Sequence, residues 1–157
     1  MSLNNLGIAL RALYGRNGDI NALNESISHH HDALALRPAP HPDRGQSLNN
    51  LSTDLLSQYK HDREIGILNE AIVLRRELLI LHPPGHLYRA FYVKHFVELL
   101  EIRFALTGEE ADRDEIQASQ RELDEYEYEY ESNGLPERDE SGTEDGVLEE
   151  DPDVDRF

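Results

Sequence analysis

The chain reads as an all-α protein, an α-solenoid of three antiparallel helical hairpins. Three observations predict it. Ser-Leu-Asn-Asn-Leu occurs at Ser2–Leu6 and again at Ser47–Leu51, a shift of 45 residues. The same shift carries Leu10 onto Leu55, Tyr14 onto Tyr59, Leu23-Asn24-Glu25 onto Leu68-Asn69-Glu70, Pro38 onto Pro83, His41 onto His86 and Arg44 onto Arg89, without a gap. Within each unit, apolar residues recur three and four apart, which is the spacing of one helical stripe. A lone hairpin cannot bury such a stripe, but hairpins in a row cover one another.

The elements follow in order. Leu3, Leu6, Leu10 and Tyr14 make the first stripe, and Gly15-Arg-Asn-Gly18 with Asp19 makes a turn. Leu23, Ile27 and Leu34, with His30 and Ala33 between, make the second stripe. Pro38, Pro40 and Pro42 close the unit, because proline cannot continue a helix interior. Asp43 or Ser47 is expected to cap the next helix through its side-chain oxygen. The same logic predicts helices near 47–61, 64–81, 87–106 and 110–130. The third copy is worn: Phe96 answers Leu51, Leu100 answers Leu55, Phe104 answers Tyr59 and Gly108 answers Gly18, but Lys94 and His95 replace the asparagines. Tyr126–Glu131 alternates Tyr and Glu; it continues a helical pattern without a breaker and is read as the end of the sixth helix rather than as a strand. The repeat body is thus 1–131, in units of about 2–46, 47–91 and 92–131. Residues 132–157 are rich in Gly, Pro, Ser, Glu and Asp and are expected to be disordered.

Charge is uneven. The net charge is −17; residues 122–157 hold 16 Asp/Glu against 2 Arg, while residues 1–121 hold 16 against 13 Lys/Arg. A balanced body with an acidic tail argues against nucleic acid, which selects clustered positive charge. There is no cysteine, no long apolar run and no basic-then-apolar N-terminal pattern, so the expectation is a cytoplasmic protein away from membranes.

Leu3-x2-Leu6-Gly7-x2-Leu10 with Ser26-x3-His30-x2-Ala33-x4-Pro38, and Leu48-x2-Leu51-Ser52-x2-Leu55 with Ala71-x3-Arg75-x2-Leu78-x4-Pro83, resemble the tetratricopeptide repeat. His41-Pro-Asp43 ahead of the second Ser-Leu-Asn-Asn-Leu looks like the long-repeat subtype of kinesin light chains and of large fungal arrays, which are often joined to CHAT or P-loop NTPase domains. This chain departs from the pattern in having no Trp, no aromatic in helix B and a 45-residue unit. The resemblance implies a right-handed superhelix and a protein–protein interaction module. In that module the first helices of each unit line a concave groove that holds an extended peptide or a helix. Carried onto this sequence, the groove residues are Asn4, Asn5, Ile8, Arg11, Asn49, Asn50, Thr53 and Lys94.

The asparagines bear on this choice. Asn costs up to roughly 0.7 kcal/mol in a helix interior relative to Ala. A repeated Asn therefore has a use for its amide, either on a bound peptide backbone or between neighbouring helices.

Other chemistry is sparse. Consecutive His29, His30 and His31 point about 100° apart on a helix and do not converge on one ion, so no metal or cofactor is expected. The equivalent His41 and His86 read as connector residues. No phosphate loop, nucleophile elbow, metalloprotease helix or cysteine nucleophile is present, and enzyme activity is not expected. Two other uses stand beside the groove. One is a structural remnant of a larger scaffold or, as an alternative, a chain that self-associates through an open N-terminal stacking face at Ile8, Leu13 and Leu23. The other is capture of basic proteins by the acidic tail.

Overall fold

The computed structural model describes residues 2–133, and they form six helices and no strand. These are α1 (Leu3–Asn17), α2 (Ile20–Ala35), α3 (Arg44–Asp62), α4 (Ile65–Leu81), α5 (Arg89–Thr107) and α6 (Glu110–Asn133). The expected tail lies, from residue 134 on, outside the described residues. Each helix packs on its neighbours in the chain, and the first helices of the first two units, α1 and α3, also touch. That is the contact pattern of hairpins laid in a row.

The 45-residue period is visible in atomic detail. Gly18, Arg63 and Gly108 each adopt a left-handed backbone, with φ of 71°, 60° and 67°. Each donates its N–H to the carbonyl of Tyr14, Tyr59 or Phe104, at 2.7, 2.8 and 2.8 Å. This conformation satisfies a helix-end carbonyl and turns the chain into the second helix of each hairpin. Glycine does so without a Cβ penalty; the second unit carries the strain on Arg63.

The connectors repeat as closely. His41 and His86 accept the N–H of Asp43 and of Tyr88 on Nδ1, at 3.1 and 3.2 Å. Their own N–H groups reach the carbonyls of Pro38 and Pro83 at 2.8 and 3.0 Å. Next, Arg44 and Arg89 pair through Nε with Glu77 and Glu122, both at 2.6 Å, and donate through Nη1 to the carbonyls of Arg37 and His82. Each arginine ties the connector before it to the second helix of its own hairpin. These turns bring the chain straight into α3 at Arg44, three residues earlier than expected, and into α5 at Arg89, two residues later. Asp43 makes no side-chain cap bond, and Ser47 sits buried inside α3, accepting from Arg37 Nη1 at 2.9 Å.

One apolar core runs through the row. Leu23 and Ile27 of α2 meet Leu51, Leu55 and Tyr59 of α3; Leu68 and Ile72 of α4 follow; Val93, Phe96 and Leu100 of α5 and Ile116 of α6 complete it. Burial of each such side chain stabilises the fold by roughly 1.5–3 kcal/mol. Leu23 is fully buried here, so it does not belong to an open stacking face, because α3 covers it; Ile8 and Leu13 are half-buried. The Tyr-Glu alternation at 126–131 lies within α6, as the absence of a breaker implied.

Candidate functional site

Two polar clusters sit where the helices meet. The first is closed. His30 on α2 is fully buried and donates through Nδ1 to Asp54 Oδ2 on α3 at 2.8 Å; its Nε2 is 3.4 Å from the Asn4 carbonyl. The hydroxyl of Ser26 lies 2.5 Å from the same Asp54 oxygen and 2.7 Å from the Gly7 carbonyl. Arg11 of α1 reaches the other Asp54 oxygen at 3.4 Å. The ring of His30 lies against Gly7, where an added Cβ would stand 2.5 Å from Nε2. Serine, histidine and aspartate meet here, but Ser26 and His30 both face the carboxylate, so no base is aligned to activate a nucleophile. The cluster joins α1, α2 and α3. His31 points elsewhere, to Glu70, and His29 makes no bond with either neighbour.

The second cluster is open. A cleft of about 360 Å³ lies between α3 and α5, bordered by Arg11 from α1 and Arg75 from α4. Asn49, Thr53 and Leu56 of α3 face Phe91, His95 and Glu98 of α5 across it. Arg75 stands 45 residues after His30 and takes the same place in its hairpin, but among the described residues no carboxylate pairs with it as Asp54 does with His30. It is 3 % exposed, donates from Nη1 to Asn49 Oδ1 at 2.8 Å and from Nη2 to Thr53 Oγ1 at 3.2 Å, and its Nε has no partner among the described residues. Burial pulls its pKa down to about 10, with Tyr92 and Glu98 opposing. Burial likewise holds His95 below the usual histidine range, aided by Arg75 and opposed by a hydrogen bond to Glu98. Lys60 pairs with Glu98 at 3.4 Å on the rim, and the ring of Phe91, 53 % exposed, packs edge-on against His95.

The groove residues expected from the sequence divide three ways. Arg11, Asn49 and Thr53 border this cleft. Asn4 and Asn50 do not face it: both are buried, and Asn50 Nδ2 donates to Asn4 Oδ1 at 3.0 Å, because α1 and α3 lie side by side with their asparagines turned inward. Asn5 is exposed at the start of α1, Ile8 is half-buried beside α1's neighbours, and Lys94 points outward to Glu127 of α6 at 3.7 Å; none of the three lines the cleft. The residues that sequence reasoning missed are Arg75, Phe91, His95 and Glu98. Arg75 left a signal, since a cation in the buried stripe Ala71-x3-Arg75-x2-Leu78 breaks the apolar pattern.

Comparisons with family profiles, with curated proteins and with solved structures give no match for this chain. No described helix is long and apolar enough to cross a membrane.

Proposed function

We propose that this chain is a non-enzymatic protein-interaction module, of the tetratricopeptide type that its repeat resembles, and that it holds an extended peptide or a helix in the cleft between α3 and α5. The observation that carries this reading is Arg75. A guanidinium that is 3 % exposed, with no partner on Nε and no ion pair among the described residues, sits at the edge of an open cleft. Holding a desolvated cation without a directly paired anion is costly for the free protein, and the cost is recovered when a ligand supplies one. Asn49 and Thr53 add an amide and a hydroxyl for a peptide backbone, and Phe91 and Leu56 add apolar contact. The regular hairpin frame presents these groups on rigid helices, which favours binding over chemistry.

A peptide-display library selected on the whole 157-residue chain tests the reading. Ser57 lies on the cleft wall and is partly exposed, so Ser57→Trp fills the space without touching the core. Peptides selected on the unaltered chain are expected to lose binding to this variant at unchanged melting temperature. No enrichment, or enrichment indifferent to the substitution, contradicts the reading.

A further inference from the structure

Tyr88, Phe91, Tyr92 and His95 follow at helical spacing and form an aromatic stripe along the first half of α5. Ring centroids lie 6.4 Å apart for Tyr88 and Tyr92, 5.6 Å for Phe91 and Tyr92, and 4.5 Å for Phe91 and His95. Tyr88 and Phe91 are 42 % and 53 % exposed, so the stripe is not core. The repeat supplies an internal control. One unit earlier the same places hold Asp43, Gln46, Ser47 and Asn50. A hairpin of this kind therefore folds with polar residues there. Asn50 bonds Asn4 and closes α3 onto α1, whereas His95 in its place pairs with Glu98 of its own helix, and the cleft stays open between α3 and α5.

Charge in the cleft is nearly balanced. Arg11 pairs with Asp54 and Lys60 with Glu98, both at 3.4 Å, and burial disfavours the charged form of His95. Arg75 is left without an ion pair among the described residues, so the site calls for one carboxylate and not an acidic run. Its free hydrogen-bonding groups are mainly donors. The hydroxyls of Ser52, Thr53 and Ser57 donate to carbonyls of α3 at 3.0, 2.8 and 3.2 Å, and Arg75 occupies Asn49 Oδ1, which leaves Asn49 Nδ2–H and the guanidinium for an acceptor. A helical ligand has its carbonyls bonded internally. One turn of it, ~10 Å across, also fills roughly 420 Å³, more than the cleft of about 360 Å³ holds. An extended strand brings an N–H with nearly every carbonyl. A proline-rich segment brings carbonyls without most of those N–H groups, in a polyproline II form with no internal hydrogen bonds. Its turn advances ~9 Å, close to the ~10 Å from residue 88 to 95 along α5.

We infer that the occupant of the α3–α5 cleft is a proline-rich, extended segment of another protein bearing one acidic residue, with its proline rings on Tyr88, Phe91 and Tyr92 and its carboxylate on Arg75. This rests on the reading of the cleft as a ligand site and names the class of ligand. Proline rings stack on aromatic faces and lose little freedom on binding, because the segment is already extended. The single carboxylate answers the single unpaired guanidinium, and further carboxylates gain nothing in a chain of net charge −17.

The test is a titration of the isotope-labelled 157-residue chain with the capped peptide acetyl-Pro-Pro-Glu-Pro-Pro-amide, followed through amide and aromatic ring shifts. Saturable shifts are expected at Tyr88, Phe91 and Thr53. Replacing the prolines of the peptide by alanine, or its Glu by Gln, should each weaken binding about tenfold, as loss of one anchoring contact does. Phe91→Gln, which installs the residue of the preceding unit, should do the same at unchanged melting temperature. Because the two peptide changes leave the protein intact, the outcome does not depend on how that variant folds. No saturable shift at millimolar peptide, equal binding of the alanine peptide, or binding indifferent to Phe91→Gln in a folded variant overturns the inference. If the proline peptide fails while library peptides still lose binding in Ser57→Trp, this inference alone falls; if the library peptides ignore Ser57→Trp as well, the cleft reading falls with it.

Discussion

Asn50 donates from Nδ2 to Oδ1 of Asn4 at 3.0 Å, and the pair joins α1 to α3 beneath the surface. The repeated asparagines are therefore not equivalent in use. Asn4 and Asn50 hold the row together, whereas Asn49, the 45-residue counterpart of Asn4, orients Arg75 at the cleft. Asn50→Ala strands the Asn4 amide in a buried site and should cost about 1–3 kcal/mol, the penalty of an unsatisfied polar group. Urea unfolding measures it. A variant of unchanged stability would return Asn4 and Asn50 to the groove.

One ion pair in the last hairpin is nearly closed to solvent. Arg103 grips Asp112 through Nε and Nη2 at 2.9 and 2.5 Å and also reaches Asn69 of α4 at 2.9 Å; Asp112 is 1 % exposed. The hydrogen bond to Asp112 raises the Arg103 pKa above its already high ordinary value, so the guanidinium's share of the stability is present below its ordinary range and is lost as pH rises through strong alkali. Asp112→Ala leaves the Arg103 guanidinium with only its Asn69 bond and should cost about 2–3 kcal/mol, below the range for a fully buried charge. Loss of α6 protection in hydrogen exchange is the expected accompaniment.

Arg75 should behave in the opposite way. Its pKa is pulled down to about 10, so the folded state holds the proton less readily than the unfolded chain. The penalty is complete below about 10 and is relieved as pH rises above that toward the ordinary guanidinium range. At neutral pH Arg75→Met removes it, and stability should hold or rise by about 1–3 kcal/mol, as for other buried charges replaced by apolar groups. Binding of acidic peptides should fall. A large loss of stability would mean that Arg75 is a structural strut.

His95 gives the cleft a pH response. It faces Glu98 on its own helix, Arg75 on α4 and Lys60 on α3, and its pKa is lowered chiefly by burial. The folded state therefore binds its proton less readily than the unfolded chain, and this site costs stability as pH falls through the usual histidine range. An acidic ligand favours the imidazolium, so its affinity should increase as pH drops from 7 toward 5. Following the His95 ring by NMR with and without an acidic peptide checks both statements: the peptide should move the titration midpoint upward.

Arg63 holds φ at 60°, where its counterparts Gly18 and Gly108 are glycines. Arg63→Gly removes the Cβ strain at the cost of greater freedom in the unfolded chain and of a contact between the guanidinium and the Tyr59 ring at 5.9 Å. The balance should favour the variant by about 0.5–1 kcal/mol. A lower melting temperature would show that the ring contact outweighs the strain.

The fold was legible because it is written three times. Leucines at fixed offsets, glycine after α1 and α5 and proline after α2 and α4 located all six helices, and they missed mainly where α3 and α5 begin. Those starts are set by the His41 and His86 turns, whose bonds depend on ring nitrogens meeting backbone N–H groups and leave no periodic trace. The site was legible only in part. A 45-residue shift matches Asn4 with Asn49, but adjacent helices meet in a register that brings Asn4 to Asn50. Likewise His30 and Arg75 are equivalent in sequence, yet only His30 has a carboxylate beneath it, because Asp54 has no counterpart in α5, where Leu99 stands.

The most direct measurement is a titration of the isotope-labelled 157-residue chain with a short acidic peptide, followed by amide shifts. The account predicts saturable changes concentrated at Thr53, Ser57 and His95 and at the Arg75 Nε–H, diminished in Ser57→Trp. Changes spread evenly over the helices, or gathered at His31 and Ile80 away from the cleft, would contradict it.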